Sequence, residues 1–164
     1  MLKSPSLFMP SLSLIVPLYN VAEYLSTTLD SIVRQTLSHF EVILVDDGST
    51  DGSREIAEDF CQRQPHWQLI TQTQQGVSVA RNVGTQQASG DFVAYLDGDD
   101  WLCPQTLETL MLATQQHEAD MVQCGFFYAY PEHLLYDNRR QQPQDAAQHF
   151  DTETALAALC QPCL

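Results

Sequence analysis

Apolar residues in this chain follow two alternating rhythms. Leu12-Ser13-Leu14-Ile15-Val16 is a short continuous run closed by Pro17. Leu25, Leu29, Ile32 and Val33 then recur at the spacing of one helical face, predicting a helix over about 21–36. Val42-Ile43-Leu44-Val45 is a second run, stopped by Asp46-Asp47-Gly48-Ser49. Asp51 stands where a helix cap is wanted, and Ile56, Ala57 and Phe60 mark the inner face of the helix after it. Trp67 to Ile70 is a weaker strand, Val79, Ala80 and Val83 give a short helix ending near Ser89-Gly90, and Phe92 to Leu96 is the next apolar run.

Val16 and Val45 lie 29 residues apart, Val45 and Ile70 25, and Ile70 and Leu96 26. Each step suits one strand–helix–strand crossover and so parallel neighbours with right-handed connections. Continuous rather than alternating runs predict strands covered on both faces. The fold class is therefore α/β, a mostly parallel sheet with helices on both faces. Pro104 suits a first helical turn before Leu107, Leu110 and Met111, and Met121 to Tyr130 reads as one more strand. From Pro131 to Gln148 the chain turns polar and rich in glutamine around Asn138-Arg139-Arg140, a loop or the start of another region, and Asp151 to Leu159 reads as a last short helix. The expected organisation is an extension over 1–11, a core over 12–131 and a polar loop with short helix over 132–164.

Composition narrows the function classes. With 164 residues, 44% of them hydrophobic and 17% charged, the chain is long enough for one globular core. A formal net charge of −14 argues against nucleic acid or an anionic lipid surface as partner, while a phosphate ligand bridged by a metal stays compatible. Cys61, Cys103, Cys124, Cys160 and Cys163 show no paired zinc spacing, and Cys160-Gln161-Pro162-Cys163 stands alone as ordinary thiols, so a reducing compartment is expected. Met1 to Ser11 lacks the apolar centre of a signal peptide and no run has membrane-spanning length, so a cytoplasmic segment without membrane insertion is expected. Any approach to the inner membrane face would use parts outside this chain.

The candidate chemistry gathers where strands end. Phe92 to Leu96 runs straight into Asp97-Gly98-Asp99-Asp100. Carboxylates that close repel one another unless a cation sits among them, and hard divalent ions take such oxygens as ligands. Open α/β sheets bind ligands at the carboxyl ends of their strands. Asp and Gly also form ordinary turns, but Pro17-Leu18-Tyr19-Asn20 and Asp46-Asp47-Gly48-Ser49 bring conspicuous groups to the same edge. Arg81, the sole Lys or Arg between Arg63 and Arg139, suits an anionic oxygen such as phosphate, or a structural ion pair with Asp47 or Asp99; both can hold in an empty site. No G-x-G-x-x-G follows any strand, which disfavours a dinucleotide fold.

Val16-Pro17-Leu18-Tyr19-Asn20, Val45 to Asp51, Gly76 to Gly84 and Tyr95 to Asp100 resemble, in order, four motifs of the family-2 glycosyltransferases, over about Leu12 to Trp101. The resemblance implies a GT-A fold, here 12–131 as its nucleotide-sugar-binding core, with the acceptor-binding part starting near 132 and continuing past Leu164. It implies a nucleoside-diphosphate sugar donor, often UDP-linked, Mg²⁺ or Mn²⁺, inversion, and a glycan or glycolipid acceptor as in polysaccharide biosynthesis. Tyr19 would stack on the base, with a packed, hydrogen-bonded aromatic as the alternative. Asp46 or Asp47 would accept from base or ribose, Arg81 would approach base or diphosphate, and Pro17 and Gly98 belong to the same nucleotide-sugar-binding set. Asp97 would face ribose and metal, and Asp99 would ligate the metal. Asp100 reads as a helix cap, Trp101 as core or rim packing, and none of the five histidines as a ligand. The general base of an inverting transferase is expected beyond Leu164, since Glu132 and Asp137 match no motif. The alternatives are a non-catalytic nucleotide-sugar-binding domain and a sugar nucleotidyltransferase, the latter disfavoured because Pro17 to Asn20 holds neither glycine nor lysine.

Overall fold

β1 (Leu12–Leu18) and β2 (Phe40–Asp46) form the centre of a four-stranded sheet, and almost every side chain along them is buried. Successive strand residues point to opposite faces, so burial of both sets means that both faces are covered. α3 (Val77–Gln87) covers one face, where Ala80 packs with Ile15, Ile43 and Val45. The alternate set, Leu14, Val16, Val42 and Leu44, is equally inaccessible, which the buried Leu25, Leu29 and Ile32 of α1 (Ala22–Val33) and Ala57 and Phe60 of α2 (Ser53–Arg63) explain. Gly84 lets α3 approach closely: a Cβ there would lie 2.5 Å from Ile15 Cγ2. The structure, a computed structural model, describes residues 10–130 and 133–136. Glu132, Asp137, the arginines near 140, the helix expected at Asp151 to Leu159 and the Cys160–Cys163 pair lie outside the described residues.

With β3 (Trp67–Thr71) and β4 (Phe92–Tyr95) the sheet order is β3-β2-β1-β4, all parallel. The chain walks outward from β1 to β3, then returns to the other side of β1, and a sheet of this kind holds its crevice at that reversal. Leu18 pairs with Asp46 and Asp46 with Thr71, so three carboxyl ends are level. Ile15 pairs with Tyr95, the last residue of β4. Pro17 is therefore tolerated inside a central strand. Ile15 accepts from Leu96 N–H and Leu18 from Asp47 N–H, so Pro17 faces the β4 side, where the ladder has ended.

Two expectations fail. Of the strand expected over Met121 to Tyr130, only β5 (Phe127–Tyr130) forms, antiparallel to β6 (His133–Tyr136), which lies where a polar loop was expected. A strand needs a partner for its backbone groups, and only the last four residues of the apolar run find one. α4 (Thr106–His117) starts two residues after Pro104, and the side chain of Gln35 caps it: Gln35 Oε1 accepts from Leu107 N–H at 3.0 Å. The chain divides after Leu107 into two compact units. Among the described residues no helix is long and apolar enough to cross a membrane.

Candidate functional site

Asp46 and Asp47 end β2 and are both buried, at 0% and 3% exposure. Asp46 is committed inward: Oδ2 accepts from Arg54 Nε at 2.9 Å and pairs with Nη2 at 2.8 Å, while Oδ1 accepts from Ser49 N–H at 3.0 Å. Asp47 instead holds the loop before α3. Its Oδ1 accepts from Gln72 Nε2 at 2.6 Å and Gln75 N–H at 2.8 Å, and its Oδ2 from Gly76 N–H at 2.7 Å. Burial alone pushes the Asp47 carboxyl up, but these three donors outweigh it and hold the group below the usual carboxylate range. Gly48 closes the turn at φ +81, with Gln74 N only 3.1 Å from where a Cβ would sit.

Tyr19 follows β1 and is 44% exposed. Its neighbour Asn20 adopts φ +52 and is tied across to the β2–α2 turn. Asn20 N–H donates to Ser49 Oγ at 3.1 Å, and Asn20 Oδ1 accepts from Thr50 N–H at 2.8 Å. One residue on, Val21 N–H donates to Ser53 Oγ and Ala22 N–H to Asp51 Oδ2, each at 2.9 Å. Asp51, expected to cap α2, does accept from Ser53 N–H at 3.0 Å, but it serves α1 as well. Nothing in the residue pattern assigns a separate role to Asn20, Ser53, Arg54, Gln72 or Gln75. Short polar side chains in turns bond to nearby backbone, but which backbone they meet depends on the neighbouring loop.

Arg81 on α3 pairs with Asp97 in the turn after β4, Nη2 to Oδ1 at 2.5 Å. The expected partner was Asp47 or Asp99. Asp47 is instead held by three donors of the 72–76 loop, and Asp97 is the carboxylate the guanidinium reaches. Arg81 Nε is buried and has no partner among the described residues. Gly98 is buried under the turn: a Cβ there would lie 3.0 Å from Leu18 Cδ2 and 3.2 Å from Pro17 O, and its own carbonyl accepts from Thr28 Oγ1 at 2.9 Å. Pro17 and Gly98 thus pack together while Tyr19, Asp47 and Asp97 stand at the same edge of the sheet. Asp100 is no helix cap. Its N–H closes the turn on Asp97 O at 3.1 Å, six residues before α4 begins. Trp101 is 51% exposed rather than core, and lines a cleft of about 340 Å³ with Thr27, Asp30, Arg34, Leu102 and Pro104.

The acidic turn suits a hard cation only in part. The carboxylate of Asp99 is exposed and has no partner among the described residues. Burial, then the charges of Asp99 and Asp97, push the Asp100 carboxyl up, a repulsion that a cation would relieve. Among the described residues no three acidic, His or Cys side chains converge as a cage. That donor set matches an ion held by one or two carboxylates and completed by water and phosphate oxygens, as Mg²⁺ commonly is.

Residues 13–161 match the model of a family described as Glycosyl transferase family 2. The chain is 42% identical over 118 residues to the uncharacterized glycosyltransferase EpsJ of Bacillus subtilis (strain 168), covering 72% of this chain and 34% of that protein. Its fold is similar to that of S. aureus TarS 1-349 in complex with UDP-GlcNAc, at TM-score 0.64 and 33% identity over 67% of this chain and 32% of that one. It is also similar to the mannosyltransferase PcManGT from Pyrobaculum calidifontis in complex with GDP-Man and Mn²⁺, at TM-score 0.58 and 30% identity over 64% of this chain and 32% of that one. The chain spans about a third of the length of these relatives.

Proposed function

The chain belongs to glycosyl transferase family 2, and from that premise we propose that it is the donor-binding part of an inverting transferase. The donor is a nucleoside-diphosphate sugar, UDP-linked in first place, and the acceptor a hydroxyl of a glycan or glycolipid. One observation carries the reading: Arg81 and Asp97, from two separate motifs, meet at the carboxyl edge of the sheet. A cation and a carboxylate brought together there suit an anionic ligand held beside a metal. The donor class follows the two similar structures, one with UDP-GlcNAc and the other with GDP-Man and Mn²⁺.

In this reading Tyr19 stacks on the base. Asp47, ionised and therefore acceptor-only, takes an N–H of the base edge, while Asp46 shapes the turn. Arg81 holds diphosphate oxygens. Asp97 faces the ribose and, with Asp99, would hold Mg²⁺ or Mn²⁺. When bound, such an ion offsets the charge that builds on the departing diphosphate. The general base and acceptor site belong to the remaining length that the relatives have.

The test is calorimetry of UDP with this chain. Binding is expected with Mn²⁺ or Mg²⁺ and largely lost in chelator. Equal affinity in both conditions would sink the metal bridge, and no binding in either would sink the donor reading.

A further inference from the structure

The two helices that open beside Tyr19 have no caps of their own. Val21 stands at the N-cap of α1 and Gly52 at that of α2, and neither makes a side-chain cap. Asp51 supplies both from one carboxylate. Oδ2 accepts from Ala22 N–H, Oδ1 accepts from Ser53 N–H, and Ser53 Oγ donates to Oδ1 at 2.6 Å while accepting from Val21 N–H. A negative charge at two helix N-termini is favoured by both dipoles. Hydrogen bonding from Ser53, then from Ala22, accordingly holds the carboxyl below its ordinary range.

Resting on the donor-binding reading above, we propose that Asp51 is a positioning residue for the nucleoside: it fixes the Tyr19–Val21 segment against the β2–α2 turn so that Tyr19 is in place before the ligand arrives. The Tyr19 ring, 44% exposed, is not fixed by burial, so its position depends on its backbone. That backbone continues into Asn20 at φ +52, a left-handed conformation that asparagine adopts more readily than other non-glycine residues and that the bonds around it hold in place. Four bonds supply that constraint: Asn20 with Ser49 and Thr50, Val21 with Ser53, and Ala22 with Asp51. Asp51 anchors the last two, because Ser53 Oγ is itself oriented by Oδ1. Three of the carboxylate's acceptor positions are taken up within the two turns, and through them Asp51 acts on the position of Tyr19. Without it the segment populates other turns, and apparent affinity falls with the fraction still competent.

The experiment measures uridine and UDP binding, the latter with Mg²⁺, for wild type, Asp51→Ala, Tyr19→Ala and the double variant, with Asp51→Asn as the milder change. Asp51→Ala is expected to weaken uridine and UDP by the same factor, roughly ten-fold, the scale of one lost charged cap. The double variant should bind within about two-fold of Tyr19→Ala alone, since coupled residues are not additive. Asp51→Asn keeps one acceptor and should show the same equal loss at smaller size, which holds the test open if Asp51→Ala does not fold. Unchanged uridine binding in either Asp51 variant, a larger loss for UDP than for uridine, or losses that multiply in the double variant would overturn the assignment. Wild type that binds neither ligand would instead overturn the donor reading and this assignment with it.

Discussion

Asp46 and Asp47 are chain neighbours with different duties, and their hydrogen bonds separate them. Asp46 is enclosed by Arg54 and Ser49, whereas Asp47 gathers the 72–76 loop with three donors and remains ionised. Arg81 is the complementary case, a cation already paired with Asp97. A guanidinium gains most from a charged oxygen, so Arg81→Ala should weaken UDP by about ten-fold or more and change uridine by less than about two-fold. Titration of both ligands into the variant checks this. Equal losses would mean base contact or a purely structural role.

At the scale of elements, the sheet is pinned at the end opposite the site. Glu41 is the second residue of β2, and its Oε1 accepts from Ser13 Oγ at 2.6 Å, Ser89 N–H at 2.7 Å and Ser89 Oγ at 2.8 Å. Ser13 Oγ in turn accepts from Gly90 N–H at 2.9 Å, so β1, β2 and the α3–β4 connection share one latch. Burial pushes the Glu41 carboxyl up, but hydrogen bonds from Ser13, Ser89 and Gly90 prevail and hold it below the ordinary carboxylate range. A depressed folded value means that the unfolded state binds the proton more readily. The latch therefore stabilises fully above the unfolded value and is lost as pH falls through the folded one. Thermal unfolding followed from pH 7 down to about pH 3 should show Tm falling below about pH 4.5. Glu41→Gln should lower Tm at pH 7 and flatten that acid limb. An unchanged limb in the variant would show that other carboxylates govern it.

At the scale of the whole molecule, the proposed donor edge lies in a chain about a third the length of its relatives. The expected behaviour is a chain that folds and binds UDP but transfers no sugar at an appreciable rate. Loss of general-base assistance alone removes on the order of 10²–10⁴-fold, and loss of acceptor positioning removes more. A transfer assay with several nucleotide sugars and a broad acceptor panel, run beside a full-length relative, checks it. Activity comparable to that of the relative would place the base within this chain and direct attention to Glu132 and Asp137.

The sequence by itself determined the alternation of strands and helices through Tyr95, because continuous apolar runs and helical spacing are local signals that tertiary context here reinforces. It also singled out the candidate turns, since Tyr19, Asp47, Arg81 and Asp97 stand out by residue type at strand ends and at a lone cation. Tertiary structure decided the partners. Arg81 meets Asp97 rather than Asp47 or Asp99, while Asp47 holds the 72–76 loop. Asp100 is not a cap because α4 begins six residues later, where Gln35, just past α1, meets Leu107 N–H. Asp51 serves two helices because the β1–α1 and β2–α2 turns lie side by side once Leu18 and Asp46 are in register. Periodicity along a chain records which faces are buried. It holds no record of which loop will stand opposite a given carboxylate, and the packing of the sheet settles that.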